Sequence, residues 1–360
     1  MRNVVQRFEI AHRRLLDQHG RAVDGVESLP AGSPETLRER LGAMVRTRLF
    51  DARAVELQRA GQLGTYASSL GQEAVAVGVA SAMHRDDVLI PSFREHGAQL
   101  LRGVTVRELL LFWGGDERGC DFAGPREDFP VCIPVGSHAP HAAGVAMALQ
   151  MRGEARAAVC ILGDGATSKG DFYEALNVSG VWRLPVVFVV MNNEWAISVP
   201  RHSQTAAQTL AQKAVAAGLP GEQVDGNDVL AVEQVVCEAL ERARTGGGPS
   251  LVEALTYRMA DHTTSDDARR YRAQEEVETR RGEDPIERLR LHLEGRGLWS
   301  EEDHQRLAAQ YRDEIERDVE RYLAEPPQTS HSIFDHVYAT LPPALEEQRA
   351  YVSAESEADG

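Results

Sequence analysis

Ala157-Ala158-Val159-Cys160-Ile161-Leu162-Gly163-Asp164-Gly165 and Val186-Val187-Phe188-Val189-Val190-Met191-Asn192-Asn193 bracket the stretch that decides the fold. Each opens as an unbroken apolar run, the pattern of a strand buried on both faces of a parallel sheet. Between them, Asp171 to Trp182 carries Phe172, Ala175, Leu176 and Ser179 at the spacing of one helix face, and Leu184-Pro185 breaks that helix. Strand, helix and strand then form a right-handed crossover, which usually leaves its strands close together. Neighbouring strands lie about 4.8 Å apart, so Asp164 and Asn193, one beyond each strand, are expected to reach a single cation. Magnesium takes hard oxygen ligands that are often completed by phosphates, and open α/β sheets bind ligands at the carboxyl ends of their strands.

A lone Gly-Asp-Gly is usually only a turn, and Asn-Asn is common in loops; their joint placement on one crossover carries the reading. Two other nucleotide motifs fail on detail. The dinucleotide fingerprint of an NAD-dependent Rossmann oxidoreductase needs glycine or alanine where Ser168 stands. The phosphate loop of the NTPases needs Gly-Lys before its hydroxyl, and the chain has Ser168-Lys169-Gly170.

The same alternation extends outward. Ser33-Pro34-Glu35 opens a helix with Leu37, Leu41, Met44 and Val45 on one face. Gln72 to Met83, Val106 to Trp113, Ala139 to Met151 and Val229 to Ala243 read as helices, the last ended by Gly246-Gly247-Gly248. Val88-Leu89-Ile90 and Leu251 to Leu255 read as strands. This predicts a doubly wound α/β domain over 34–275, with helices on both faces of a parallel sheet. Residues 1–33 read as a polar N-terminal extension. Residues 276–360 read as a helical segment and tail, with helices opened by Asp284-Pro285 (Ile286, Leu289 and Leu293 inward) and by a capping box at Ser300 and Asp303.

A chain of 360 residues can bury a sizeable core, and 42% hydrophobic with 26% charged residues fits a globular protein. The net charge of −16 argues against nucleic acid, whose phosphates need clustered Lys and Arg. No apolar run is long enough for a membrane span. Arginines near the start are interrupted by Glu9 and Asp17, so a cytoplasmic location is expected ahead of a mitochondrial one. The four cysteines form no C-x-x-C, which suits a reducing compartment. His138 and His141 are spaced as metal ligands but lack a third partner nearby. No G-x-S-x-G elbow is present.

Several ordered motifs carry a resemblance over about residues 35 to 345. They are the GDG…NN signature, Ser92-Phe93-Arg94-Glu95-His96-Gly97, Pro134-Val135-Gly136-Ser137, Tyr257-Arg258, Asp261-His262-Thr263-Thr264-Ser265-Asp266-Asp267 and Gly297-Leu298-Trp299-Ser300-Glu301-Glu302. Together they resemble the alpha subunit of the thiamine-diphosphate-dependent 2-oxo acid dehydrogenases, most closely the pyruvate type of the separate alpha/beta arrangement, with the branched-chain type next. The resemblance implies a thiamine diphosphate-binding fold with a C-terminal helical extension. It also implies oxidative decarboxylation of pyruvate, with the acetyl group passed to the lipoyl arm of a dihydrolipoyl acyltransferase. The implied partner is a beta subunit in an α2β2 heterotetramer, which supplies the glutamate that activates the cofactor.

Position by position, the resemblance makes Asp164, Asn193 and the backbone carbonyl of Trp195 the magnesium ligands. Gly165 and Ala166 would line the diphosphate, with Arg94, Arg258 and His262 binding or facing its oxygens; Phe93 belongs to the same cofactor site, but standing where the family usually has tyrosine it loses one hydroxyl contact to the diphosphate. Val135 would sit under the bend of the cofactor, with Ile133 in the same loop. His262 is the candidate catalytic residue, because imidazole titrates near neutrality. The polar, cross-paired loop 261–272 is expected to be mobile without cofactor and to order over it. Phe93 and Trp195 stand where relatives often have other aromatics, His138 where glutamine is common, and Thr65 where phenylalanine often flanks the substrate pocket. A non-catalytic paralogue keeping the fold is the remaining alternative; the intact Asp164, Asn193, Arg258 and His262 argue against it.

Overall fold

The computed structural model describes residues 2–23, 33–124, 126–335 and 337–358. It forms two compact units, Met1–Val319 and Glu320–Gly360. The first is built on a six-stranded sheet of β1 (His12–Arg13), β2 (Val88–Ile90), β3 (Ala158–Gly163), β4 (Val186–Asn192), β7 (Gly221–Asp225) and β8 (Ser250–Leu255). Every pairing in it is parallel, in the order β1-β7-β8-β4-β3-β2. A separate antiparallel pair, β5 (Trp195–Ala196) and β6 (Val199–Pro200), forms a small hairpin after β4.

The central strands are apolar throughout because each face has its own core. Val159, Ile161, Val187, Val189 and Met191 join one core with residues of the helices Pro34–Arg59, Glu73–Ala82, Val229–Arg244 and Pro285–Gly295. The alternate residues Ala158, Cys160, Leu162, Val186, Phe188 and Val190 join a second core with the helices His138–Met151 and Gly170–Trp182. The period of two therefore distributes one strand between two helical layers. Predicted caps are in place. Ser33 Oγ accepts from Thr36 N, Asp284 accepts from Ile286 N and Glu287 N, and Ser300 and Asp303 bond reciprocally.

The boundaries expected at 33 and 275 do not separate compact units. Within the first segment, β1 pairs with β7, and Leu15 and Leu16 are buried in the first core. Asp228 accepts from the N–H groups of both leucines, tying this segment to the start of the helix Val229–Arg244. A two-residue strand is too short to show a period. Residues 24–32 of that segment lie outside the described residues. At the other end, Ile286, Leu289 and Leu293 belong to the first core, so the body continues past 275. Among the described residues no helix is long and apolar enough to cross a membrane.

Candidate active site

The carboxyl ends of β2, β3 and β4 converge on one cleft, which His262 joins from the loop after β8. In the β3–β4 register Gly163 lies opposite Met191, so Asp164 and Asn193 both emerge just past the end of the ladder. The cleft measures about 200 Å³. It is lined by Phe93, Arg94, Val135, Asp164, Gly165, Ala166, Asn193, Trp195 and His262 of the expected set. Two of that set lie elsewhere. Ile133 is half exposed on its loop. Arg258 is fully buried behind the lining, donating to Trp195 O (3.2 Å), Ile197 O (2.7 Å) and Tyr271 Oη (3.0 Å). Its fork braces the β5–β6 hairpin. Thr65 is also outside the lining, its hydroxyl 3.0 Å from that of Ser265.

Larger hollows exist, one of about 380 Å³ lined by Arg48, Tyr257 and Arg280 among others. Arg48 and Arg280 there are already paired with Glu73, Asp284 and Glu283. The smaller cleft is the better candidate, because its polar groups converge at the strand ends.

One wall of the cleft presents oxygen. Burial raises the Asp164 carboxyl above its ordinary range, and its Oδ2 accepts from Gln204 Nε2 at 2.7 Å. Lys213 Nζ donates to Thr167 O and Oγ1, and Thr167 Oγ1 donates to Asp164 O, fixing the 3-10 turn that carries the carboxylate. Asn193 Oδ1 accepts from Trp195 N at 3.3 Å, and its Nδ2 donates to Gln72 Oε1 at 2.8 Å. Beside it, the fully buried Glu253 accepts from Asn192 Nδ2, Ala211 N and Gln223 Nε2. These bonds hold a turn in which Glu194 and Ile197 have φ of +72° and +56°. A β-branched residue in the left-handed region stores strain, a feature that clusters at functional sites. Gly165 is required there: a Cβ on it would come 2.7 Å from Ala196 Cβ.

The other wall presents N–H donors. Arg94 is buried and donates from Nη1 to Ser68 O (2.5 Å) and from Nη2 to His262 O (2.7 Å) and Nδ1 (3.0 Å). A guanidinium can only donate, so His262 Nδ1 is the acceptor and the ring proton sits on Nε2. Burial, then Arg94 and Arg258, push the His262 pKa down to about 4. Burial, with the two neighbouring cations, therefore favours the neutral imidazole, below the near-neutral titration expected of the residue type. Burial and Arg258 lower Arg94 only to about 10, so it stays charged. Burial pushes Glu95, also in the lining, up to about 7.

The 261–272 loop carries one buried apolar residue within a set of polar bonds. Ala268 is buried and its N–H donates to Asp261; Asp266 accepts from His262 N and Tyr271 Oη; Arg272 donates to the carbonyls of Arg258, Met259 and Ala260. His138 donates from Nε2 to Ile161 O, and no cluster of three His, Cys, Asp or Glu suited to a metal occurs among the described residues.

The donor set suits a hard cation and a diphosphate. A carboxylate, an amide oxygen and a backbone carbonyl are oxygen ligands of the magnesium kind, each with a lone pair beyond its present partner. The bare backbone of Gly165 lets Ala196 pack against it within the lining, and a buried Gln72 Nε2 has no partner. Gln72, Gln204, Glu95 and Glu253 were not singled out from sequence. Only Glu95 carried a signal, as part of the Ser92–Gly97 motif.

The profile of the family "Dehydrogenase E1 component" matches residues 41–330. The chain is 43% identical over 321 residues to a 3-methyl-2-oxobutanoate dehydrogenase subunit alpha of Mycobacterium tuberculosis, covering 89% of this chain and 88% of that one. It is 38% identical over 345 residues to a pyruvate dehydrogenase E1 component subunit alpha of Bacillus subtilis, covering 95% and 93%. With the same-named subunit of Staphylococcus aureus it shares 38% over 343 residues, covering 95% and 92%. Matches of this extent, on a parallel sheet whose strand ends carry the expected motifs, establish that the chain belongs to the dehydrogenase E1 component family, as an alpha subunit of the thiamine-diphosphate-dependent 2-oxo acid dehydrogenases.

Proposed function

We propose that the cleft holds the diphosphate end of thiamine diphosphate with Mg2+. On this reading the chain acts with a beta subunit to decarboxylate pyruvate and pass the acetyl group to the lipoyl arm of a dihydrolipoyl acyltransferase. The observation that carries this is the presence in one cleft lining of an oxygen-bearing set (Asp164, Asn193, Trp195) and a nitrogen-bearing set (Arg94, His262). Bound thiamine diphosphate supplies the electron sink for loss of carbon dioxide from a 2-oxo acid. Asp164, Asn193 and the Trp195 carbonyl would hold the metal, and Gly165 and Ala166 would meet the diphosphate through their backbone. Arg94 keeps a full charge against the phosphates, while the neutral His262 offers one N–H at a fixed orientation. Val135, half exposed at the rim, gives the ring system an apolar support.

A second reading keeps the chemistry and changes the substrate to a branched-chain 2-oxo acid. It is favoured by the 43% identity to a 3-methyl-2-oxobutanoate dehydrogenase subunit. The test is co-expression with the beta subunit and a decarboxylation assay on pyruvate and 3-methyl-2-oxobutanoate side by side. Pyruvate turnover at higher kcat/KM supports the first reading, and the reverse order supports the second. No turnover of either with the cofactor bound would remove both.

A further inference from the structure

Gln72 immediately precedes the helix Glu73–Ala82, is fully buried and lines the cleft. The direction of its amide follows from a backbone group. The Trp195 N–H can only donate, and it reaches Asn193 Oδ1 at 3.3 Å. That fixes the opposite end of the Asn193 amide as Nδ2, which donates to Gln72 across 2.8 Å. Gln72 must therefore turn Oε1 to Asn193, which leaves Nε2 as its free end. This Nε2 is buried and has no hydrogen-bond partner. Buried donors without acceptors are rare in folded proteins and call for a complement.

We propose that Gln72 is a further ligand-binding residue of this site. Its Oε1 sets the Asn193 amide, and its Nε2 donates to an oxygen of the bound diphosphate. The inference rests on the thiamine-diphosphate reading. Gln72 thereby links the metal side of the ligand to its anionic side: one amide orients a cation ligand and meets the anion that the cation neutralises.

The test is calorimetric titration of thiamine diphosphate, with Mg2+, into the enzyme assembled with its beta subunit. Wild-type, Gln72→Leu and Gln72→Glu are compared. Wild-type binding tests the underlying reading, and its absence overturns both. Given wild-type binding, Gln72→Leu is expected to weaken affinity about tenfold or more. Gln72→Glu keeps an acceptor for Asn193 but turns an anionic oxygen toward the diphosphate, so at pH 8 it is expected to bind more weakly than Gln72→Leu. Its affinity should recover as pH falls, because a protonated carboxyl again accepts on one oxygen and donates from the other. If Gln72 only oriented Asn193, Gln72→Glu would bind like wild-type at pH 8, which overturns the donor assignment. Equal affinity in all three overturns the proposal entirely. Should Gln72→Leu fail to fold, the pH profile of Gln72→Glu decides alone.

Discussion

The two walls of the cleft are built differently. The oxygen wall hangs from β3 and β4, strands sealed between two cores, and its turns and side chains are fixed by bonds with Lys213, Gln204, Gln72 and Glu253. The donor wall depends on a loop, where Arg94 clasps the backbone and ring of His262. Position on the first wall is inherited from the sheet; on the second it comes from one charged side chain and the loop it ties. A cation ligand tolerates little displacement, since magnesium demands near-ideal geometry, whereas a charged donor acts over a longer range.

Mutations can break this contrast. Asp164→Ala should produce the largest effect, a loss of magnesium-dependent thiamine diphosphate affinity of more than about 100-fold, since ligand partners alone cost 10–100-fold; calorimetry on the assembled enzyme measures it. Arg94→Ala should cost about 10–100-fold, as charge-assisted bonds are worth about 1.5–3 kcal/mol. In the same variant the His262 pKa should rise from about 4, because a cation is removed from its side; NMR titration reads this, and an unmoved pKa would mean that burial and Arg258 suffice to depress it.

Gly165→Ala tests the oxygen wall without touching a ligand side chain. The added methyl must displace Ala196, at a cost of about 1–3 kcal/mol typical of overpacking, measurable by denaturant unfolding. A smaller effect follows from pH. The folded pKa of His262 is depressed to about 4 from 6.5, so its neutral form is matched to the fold above pH 6.5, and that stability is lost as pH falls toward 4. His262→Asn should flatten melting temperature against pH within that window. Smallest of all, Arg269→Ala removes an exposed ion pair with Asp267 and should leave the melting temperature unchanged.

Legibility followed the same division. The runs at 157–163 and 186–192 could be read because burial on both faces makes every residue apolar. β7 could not, since only Val224 of its five residues is buried. Asp164, Asn193, Arg94 and His262 were readable from motif and position. Gln72, Gln204 and Glu253 were not, because an amide or carboxylate acquires its role from a partner distant in sequence: 121 residues separate Gln72 from Asn193. Arg258 was legible as a site residue but not as a brace, because sequence does not show which side of a wall a side chain occupies. Likewise, nothing in the sequence shows that burial and two nearby guanidiniums hold His262 neutral.

The edge strand β1 has a consequence for synthesis. Residues 12–13 leave the ribosome before the rest of the sheet, yet pair with β7; 209 residues separate Arg13 from its partner Glu222. At about 5–20 residues per second, the segment waits on the order of ten to forty seconds for its place. Until it closes, β7 offers an open edge to any passing strand. The segment works as a clasp: the first strand of the sheet to be made is among the last that can be fastened, and fastening it covers part of the β7 edge.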